Sequence, residues 1–241
     1  MINIKIILSY DGSRYNGSQK QPTKDTVQDE LEEALKRLKI TTKLAFSGRT
    51  DKEVHASGQV VSLEVPGFWN NLDKLLLALT QQLSPSIKIK NIYNVAEDFH
   101  ARFSAKKRIY RYILSSKPTT AFNDKYLSYH PNINIDKIQE AMKTFIGIYD
   151  FEYFSKNGSD PKSTIREIYD VKFYKYKEFY IFKFKANSYL RSQIRMMVSF
   201  LLKISDDKTT IDDLKNQLQK KELKSWTLAP ANGLYLSKII Y

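Results

Sequence analysis

Apolar residues alternate at the start of the chain, at Ile2, Ile4, Ile6 and Leu8, and predict a strand over 2–10 that the Asp11-Gly12 turn ends. Asp25 is placed to cap a helix with Gln28 three residues on. Val27, Leu31, Leu35 and Leu38 then recur at helical spacing, so a helix is expected over 26–39. Strands over 43–47 and 59–65 flank a polar connection from Gly48 to Ser57. A second helix, lined by Leu72, Leu75, Leu76, Leu79 and Leu83, stops at Pro85, and 87–95 is the next strand. The first half reads β-α-β-β-α-β.

From Lys106 the order begins again. A strand runs through Ser115, a long loop follows, and Ile135, Ile138, Met142 and Phe145 mark a helix that Gly147 is expected to cap. Strands over 164–176 and 179–186 bracket the polar turn Lys177-Glu178. A helix over 188–204 carries Leu190, Ile194, Met197, Val198 and Leu201, a short helix starts near Thr210, and 233–241 closes as a strand. The expected fold is α+β, with two successive ferredoxin-like β-α-β-β-α-β units, each an antiparallel sheet with helices on one face. The division falls at 1–103 and 104–241. If the sheets sit side by side, a cleft opens between the halves, where an active site is expected.

Charge changes this picture most. Lys and Arg number 39 against 26 Asp and Glu, a formal net charge of +13, which draws polyanions. The 16 Tyr and 13 Phe add rings on which unpaired bases can stack, although most belong in a core. The absence of cysteine excludes disulfides, thiolate nucleophiles and Cys-ligated zinc. No run approaches the roughly 18 apolar residues of a spanning helix, and the alternating N-terminus is not a signal peptide, so no membrane and a cytoplasmic location are expected. There is no phosphate-binding glycine loop, no dinucleotide turn and no His-Glu-x-x-His helix. His55, His100 and His130 lie far apart. No metal and no cofactor are expected.

Candidate chemistry falls in three clusters. Ser47-Gly48-Arg49-Thr50-Asp51-Lys52-Glu53-Val54-His55 sets cations and acids between two apolar strands, where a rigid scaffold would hold them. In extended backbone Arg49 and Asp51 leave the same face and would pair, keeping the carboxylate ionised as a nucleophile or base. A structural ion pair in a connecting loop fits the same spacing. Phe99-His100-Ala101-Arg102-Phe103 and Lys106 to Tyr112 mix cations with rings. Arg108, Tyr110 and Tyr112 share one face of that strand, and Ile109, Arg111 and Ile113 the other. A core tyrosine face with solvated cations is the alternative. Arg191 and Arg195 stand one turn apart on the expected 188–204 helix and would address a carboxylate or phosphate, or simply water.

These residues resemble the tRNA pseudouridine synthase A family, whose members modify the anticodon arm. The matching pieces are Ser9-Tyr10-Asp11-Gly12 with Tyr15, Gly17, Gln19 and Gln21; Gly48-Arg49-Thr50-Asp51 with Val54-His55-Ala56 and Gly58-Gln59-Val60; Phe99 to Ala105; Tyr110-Arg111-Tyr112; Asp150-Phe151 with Phe154; Ile194-Arg195; and Ala229-Pro230 with Gly233-Leu234-Tyr235-Leu236. They fall in family order. The sequence departs from the family where Lys52 and Glu53 replace small residues, where Ser18 replaces an aromatic, and near Ser199, where a glycine in a loop is usual. Glu53 is also expected to disfavour a left-handed backbone.

The resemblance implies that Asp51 is the catalytic aspartate, that Tyr110 stacks on the target uracil, that Arg195 lies near the aspartate, and that Arg49 helps draw the nucleotide from its stem. Leu234 is expected to bind substrate. Arg14, Lys52, His55, Arg102, Lys107, Arg108, Arg111 and Arg191 are expected to contact RNA. The implied partner is tRNA, modified at uridines 38, 39 and 40 by a homodimer. Two competing readings are an RNA-binding module without activity and an acid–base ribonuclease using His55 and Asp51; both also predict salt-sensitive RNA binding.

Overall fold

A computed structural model describes residues 1–158 and 161–241. The chain forms two compact units, Met1–Lys106 with Tyr235–Tyr241, and Lys107–Leu234. The final strand was expected in the second half, but its contacts group it with the first.

In the first unit, strand β1 (Ile2–Tyr10) lies between β3 (His55–Val65) and β4 (Ile87–Asn94), antiparallel to both. The predicted alternation is present: Ile4, Ile6, Leu8 and Tyr10 are buried. Both pairings of β1 shift register toward its end, between Leu8 and Tyr10 against β3 and between Ile7 and Leu8 against β4. Such bulges re-aim the strand end beside the loops it carries. Helices α1 (Val27–Arg37) and α2 (Leu72–Gln82) pack together and bury Val27, Leu31, Leu35, Leu75 and Leu79. The cap of α1 is Thr26 with Asp29, one residue beyond the expected pair. Asp25 instead accepts from Thr23 and Asn16.

Strand β3 begins earlier than its polar sequence suggested, at His55 and not 59. Both ends of one edge are used. Short β2 (Ala45–Phe46) pairs with Val61 and Ser62, while β10 (Leu234–Ile240) runs parallel through Tyr235↔His55 and Leu236↔Ala56. Pairing with a distant strand supplies the ladder bonds that His55–Ser57 could not obtain locally.

In the second unit, β5 (Lys107–Ser115), β9 (Phe179–Ala186), β8 (Ile165–Tyr176) and β7 (Gly147–Asp150) follow one another in an antiparallel sheet. The long loop holds two-residue β6 (Ser128–Tyr129), parallel to the end of β5. Strand β7 was not predicted, and Gly147, at φ 126, opens it and does not cap a helix. Lys177 makes the β8–β9 turn with φ 53. Helices α3 (Ile135–Lys143) and α4 (Gln193–Ser205) pack against each other, and α5 (Ile211–Leu218) starts from a Thr210–Asp213 capping box. The core is aromatic: Phe154 meets Phe145 edge-on at 5.5 Å and Phe200 at 6.0 Å, and Phe173 lies 4.3 Å from Phe182.

Among the described residues no helix is long and apolar enough to cross a membrane. The packing of β10 on β3 is testable at Gly58, where a Cβ would stand 2.3 Å from the Ser237 carbonyl oxygen. Gly58→Ala is expected to destabilise the protein by about 1–3 kcal/mol in urea unfolding. An unchanged midpoint would mean that β10 does not hold this position.

Candidate active site

The segment between β2 and β3 carries Asp51 and belongs to neither strand. Its backbone is nevertheless fixed on both sides. The Thr50 N–H donates to Ser18 Oγ at 2.8 Å, and the Thr50 carbonyl accepts from the Ser18 N–H at 3.1 Å. The Thr50 hydroxyl is 2.7 Å from the Tyr10 hydroxyl. Gln59 Nε2 donates to the Gly48 carbonyl at 2.8 Å, while its Oε1 accepts from the Ser47 hydroxyl at 2.8 Å. Ser18, Ser47, Thr50 and Gln59 are all buried. Burial pushes the Tyr10 hydroxyl up to about 12, so it stays neutral as it bonds Thr50.

Beyond this clamp the chain turns. Asp51 is half-buried, Lys52 and Glu53 are exposed, and the Val54 N–H closes the turn onto the Asp51 carbonyl at 3.2 Å. Glu53 adopts φ 66, the left-handed conformation it was expected to avoid. Gly12 lies against the other side: a Cβ there would stand 2.1 Å from the Val54 carbonyl oxygen. Arg49 is exposed and, among the described residues, forms no ion pair, so the expected pairing with Asp51 is absent. The segment belongs to no strand and turns at Lys52-Glu53.

His55 also differs from expectation. It is only 2% exposed, its Nδ1 accepts from the Gly12 N–H at 3.0 Å, and its ring stacks on Tyr235 at 4.7 Å. It is a scaffold residue and not a surface contact for RNA, which also removes support from the ribonuclease reading. His100 Nδ1 accepts from the Arg102 N–H, and His130 Nε2 lies 3.0 Å from Asp206. No group of three or more His, Cys, Asp or Glu suited to a metal ion occurs among the described residues.

The second unit holds the other candidates. Tyr110 is buried on β5, with Tyr189 edge-on at a ring distance of 5.2 Å. The Tyr189 hydroxyl is buried without a hydrogen-bond partner, and burial, with Tyr110 beside it, raises its pKa well above the ordinary tyrosine value. Arg195, in the first turn of α4, donates from Nε to the Ala229 carbonyl at 2.7 Å, and its own carbonyl accepts from the Ala229 N–H at 3.0 Å. Tyr112 donates to the Pro230 carbonyl at 3.0 Å. These bonds hold the Ala229-Pro230 segment, and with it buried Leu234, against α4 and β5.

Arg191 is not on that helix. Ser192, at φ 58, separates it from α4, so the expected one-turn spacing to Arg195 is lost. Arg191 instead donates to the carbonyls of Asn157 and Gly158 at 3.1 and 3.3 Å. Arg108 donates to the Asn187 carbonyl at 2.7 Å, and Lys107 sits 4.6 Å over the Tyr169 ring. Lys52 and Arg111 are exposed, Arg102 lies over Phe103, and Arg14 is 3.9 Å from Asp11. Ser199 falls inside α4 and not in a loop, its hydroxyl 2.7 Å from that of Thr227.

Two α+β units, one presenting a braced acidic turn and the other a buried tyrosine with oriented arginines, are the setting in which likeness to known proteins is informative. The model of the tRNA pseudouridine synthase family matches residues 6–104 and 141–241, and the chain belongs to that family, whose enzymes are isomerases. Similar chains include the tRNA pseudouridine synthase A of Campylobacter jejuni (strain RM1221), 44% identical over 240 residues and covered end to end by the match. The protein of the same name from Campylobacter jejuni subsp. doylei is 45% identical over 241 residues, again with both chains fully covered. That of Wolinella succinogenes is 39% identical, with all of this chain and 95% of its own covered.

Two substitutions test the local geometry. A left-handed residue other than glycine costs roughly 1–2 kcal/mol, partly offset by the chain entropy glycine brings to the unfolded state. Glu53→Gly is therefore expected to stabilise the protein by about 0.5–1 kcal/mol in urea unfolding; an equal loss would show that the Glu53 side chain supports the turn. Removing the orphaned hydroxyl with Tyr189→Phe is expected to gain about 1 kcal/mol in the same measurement, and a loss would reveal a partner for it.

Proposed function

We propose that this chain isomerises uridine to pseudouridine at positions 38–40 of the tRNA anticodon arm, with Asp51 as the catalytic carboxylate. The family membership supports the reaction class. The observation that supports the assignment to Asp51 is its position directly after backbone anchored at Gly48 and Thr50, at the start of a turn closed by Val54, with its side chain half-buried. Such a mounting fixes the direction of a reacting group.

The reaction breaks the C–N glycosidic bond of a uridine, turns the uracil and rejoins it to the ribose through carbon. Its atoms balance within one nucleotide. The base must leave its stack at a cost of a few kcal/mol, and the detached ring must be held. Tyr110 supplies a ring for stacking, worth on the order of 1–3 kcal/mol per base. Arg195, oriented through Nε, stabilises negative charge as it develops. Leu234 gives the uracil an apolar contact. Arg49 is exposed and available to draw the nucleotide from its stem, and Arg14, Lys52, Arg102 and Arg111 present further charge to phosphate. Asp51 serves as nucleophile or as base. The working form is a homodimer in the cytoplasm, and gel filtration tests the dimer.

Purified protein, given unmodified tRNA without metal or nucleotide, is expected to convert anticodon-arm uridines and leave the strand intact, as read by mapping pseudouridine. Asp51→Asn is expected to lower turnover by at least about 10³-fold while tRNA affinity stays within a few-fold. Strand cleavage, or binding with no isomerisation of any tRNA, would overturn the assignment; parallel loss of folding and affinity in Asp51→Asn would make the carboxylate structural.

A further inference from the structure

Trp226 is 68% exposed, yet the segment that carries it is anchored. Gln217 of α5, fully buried, accepts through Oε1 from the N–H groups of Lys224 and Ser225 at 3.0 and 2.8 Å, and donates through Nε2 to the Ser225 carbonyl at 2.8 Å. The Ser225 hydroxyl accepts from Lys203 Nζ at 2.8 Å and lies 3.1 Å from the Thr227 hydroxyl, which Ser199 of α4 meets at 2.7 Å. Three residues after Trp226, Ala229 is bonded in both directions to Arg195. The residues on either side of Trp226, and Ala229 beyond, are thus fixed to α4 and α5.

A large ring on a loose loop can fold back onto the nearest apolar surface. Here the Ser225 backbone and the Thr227 hydroxyl are held, so the ring projects from an anchored segment. Among the described residues Trp226 makes no hydrogen bond, ring contact or cation–π contact. Trp69, the chain's other tryptophan, donates Nε1 to the Leu38 carbonyl at 3.0 Å. An unpartnered indole on an anchored segment, with exposed Lys221 nearby, Lys203 bonded to Ser225 and Lys224 paired with Asp213 and Glu222, has the elements of a single-stranded nucleic-acid platform, a π-face with positive charge in the same region.

We propose that Trp226 is a stacking platform for an unpaired base of the RNA substrate, next to the nucleotide being modified. The inference rests on the functional reading above, because it takes its substrate from there and places Arg195 at the target. Three residues span at most about 11 Å, so the indole stands within reach of a neighbouring nucleotide and not of a distant arm of the tRNA. The contact is to the face of a base and does not depend on its edge, so it tolerates sequence differences among substrates.

Trp69→Phe leaves Trp226 as the sole tryptophan and its fluorescence as a direct reporter. Titration with an unmodified anticodon stem-loop RNA is expected to give saturable quenching that follows binding measured by anisotropy of labelled RNA. In the otherwise natural chain, Trp226→Ala is expected to raise KM about tenfold with kcat within about twofold, and Trp226→Phe to keep most of the affinity. Fluorescence unchanged at saturation, or an unchanged KM in a Trp226→Ala enzyme that still isomerises uridine, would overturn the platform and leave the functional reading standing. If the natural chain isomerises no tRNA uridine, that reading falls, and the fluorescence titration still decides whether a base stacks here.

Discussion

Backbone polar groups in the turn from Gly48 to Thr50 have no strand of their own to pair with, and residues from elsewhere in the first unit satisfy them. An unpaired buried N–H or C=O costs about as much as a lost hydrogen bond, so each must find a partner. Ser18 meets Thr50 through both a backbone N–H and a hydroxyl, Gln59 meets Gly48, and Tyr10 meets the Thr50 side chain. The partners come from β1, the loop after it and β3. Packing of those strands is therefore coupled to the direction in which Asp51 leaves the backbone.

The same constraint accounts for the strained and crowded positions nearby. Gly12 brings the chain so close to Val54 that no side chain fits, and its N–H is spent on His55. With His55 bonded there and stacked on Tyr235, β10 becomes part of the support for the turn. Glu53 takes up the left-handed conformation that closes the turn. Two residues bear on this network in opposite ways: Ser18 supplies the hydroxyl that accepts from Thr50, and Glu53 carries the strain of a left-handed backbone.

Periodic elements were legible in the sequence because one face of each is buried. The alternation of β1, the spacing of α1 and α2, and the β8–β9 hairpin about Lys177 appear where the pattern places them. What was missed depends on distant partners. His55–Ser57 looks like loop and is strand because β10 pairs with it; β7 is a four-residue edge strand too short and mixed to show a period. The start of α4 was misplaced because Leu190 continues the apolar pattern, while left-handed Ser192 breaks the backbone, and the supposed Arg191–Arg195 pair went with it. The roles proposed for Asp51, Tyr110 and Arg195 come from ordered motifs and not from spacing. Ser18, 32 residues from the Thr50 it holds, leaves no local signal.

The second unit solves a similar problem by a different route. The segment from Lys224 to Ala229 also lacks a strand to pair with, and one buried amide, Gln217, satisfies three backbone groups at once while Arg195 satisfies two more at Ala229. Using Arg195 in this way links its charge to the shape of the segment. A guanidinium held through Nε has lost much of its rotational freedom before any substrate arrives, so less entropy is lost when it meets developing charge. Tyr110 stands on a regular strand, but the turn that carries Asp51 and the segment that Arg195 holds are irregular backbone secured by buried side-chain hydrogen bonds. Irregular backbone can be aimed where a strand cannot, and the buried serine and glutamine residues are what make that irregularity rigid.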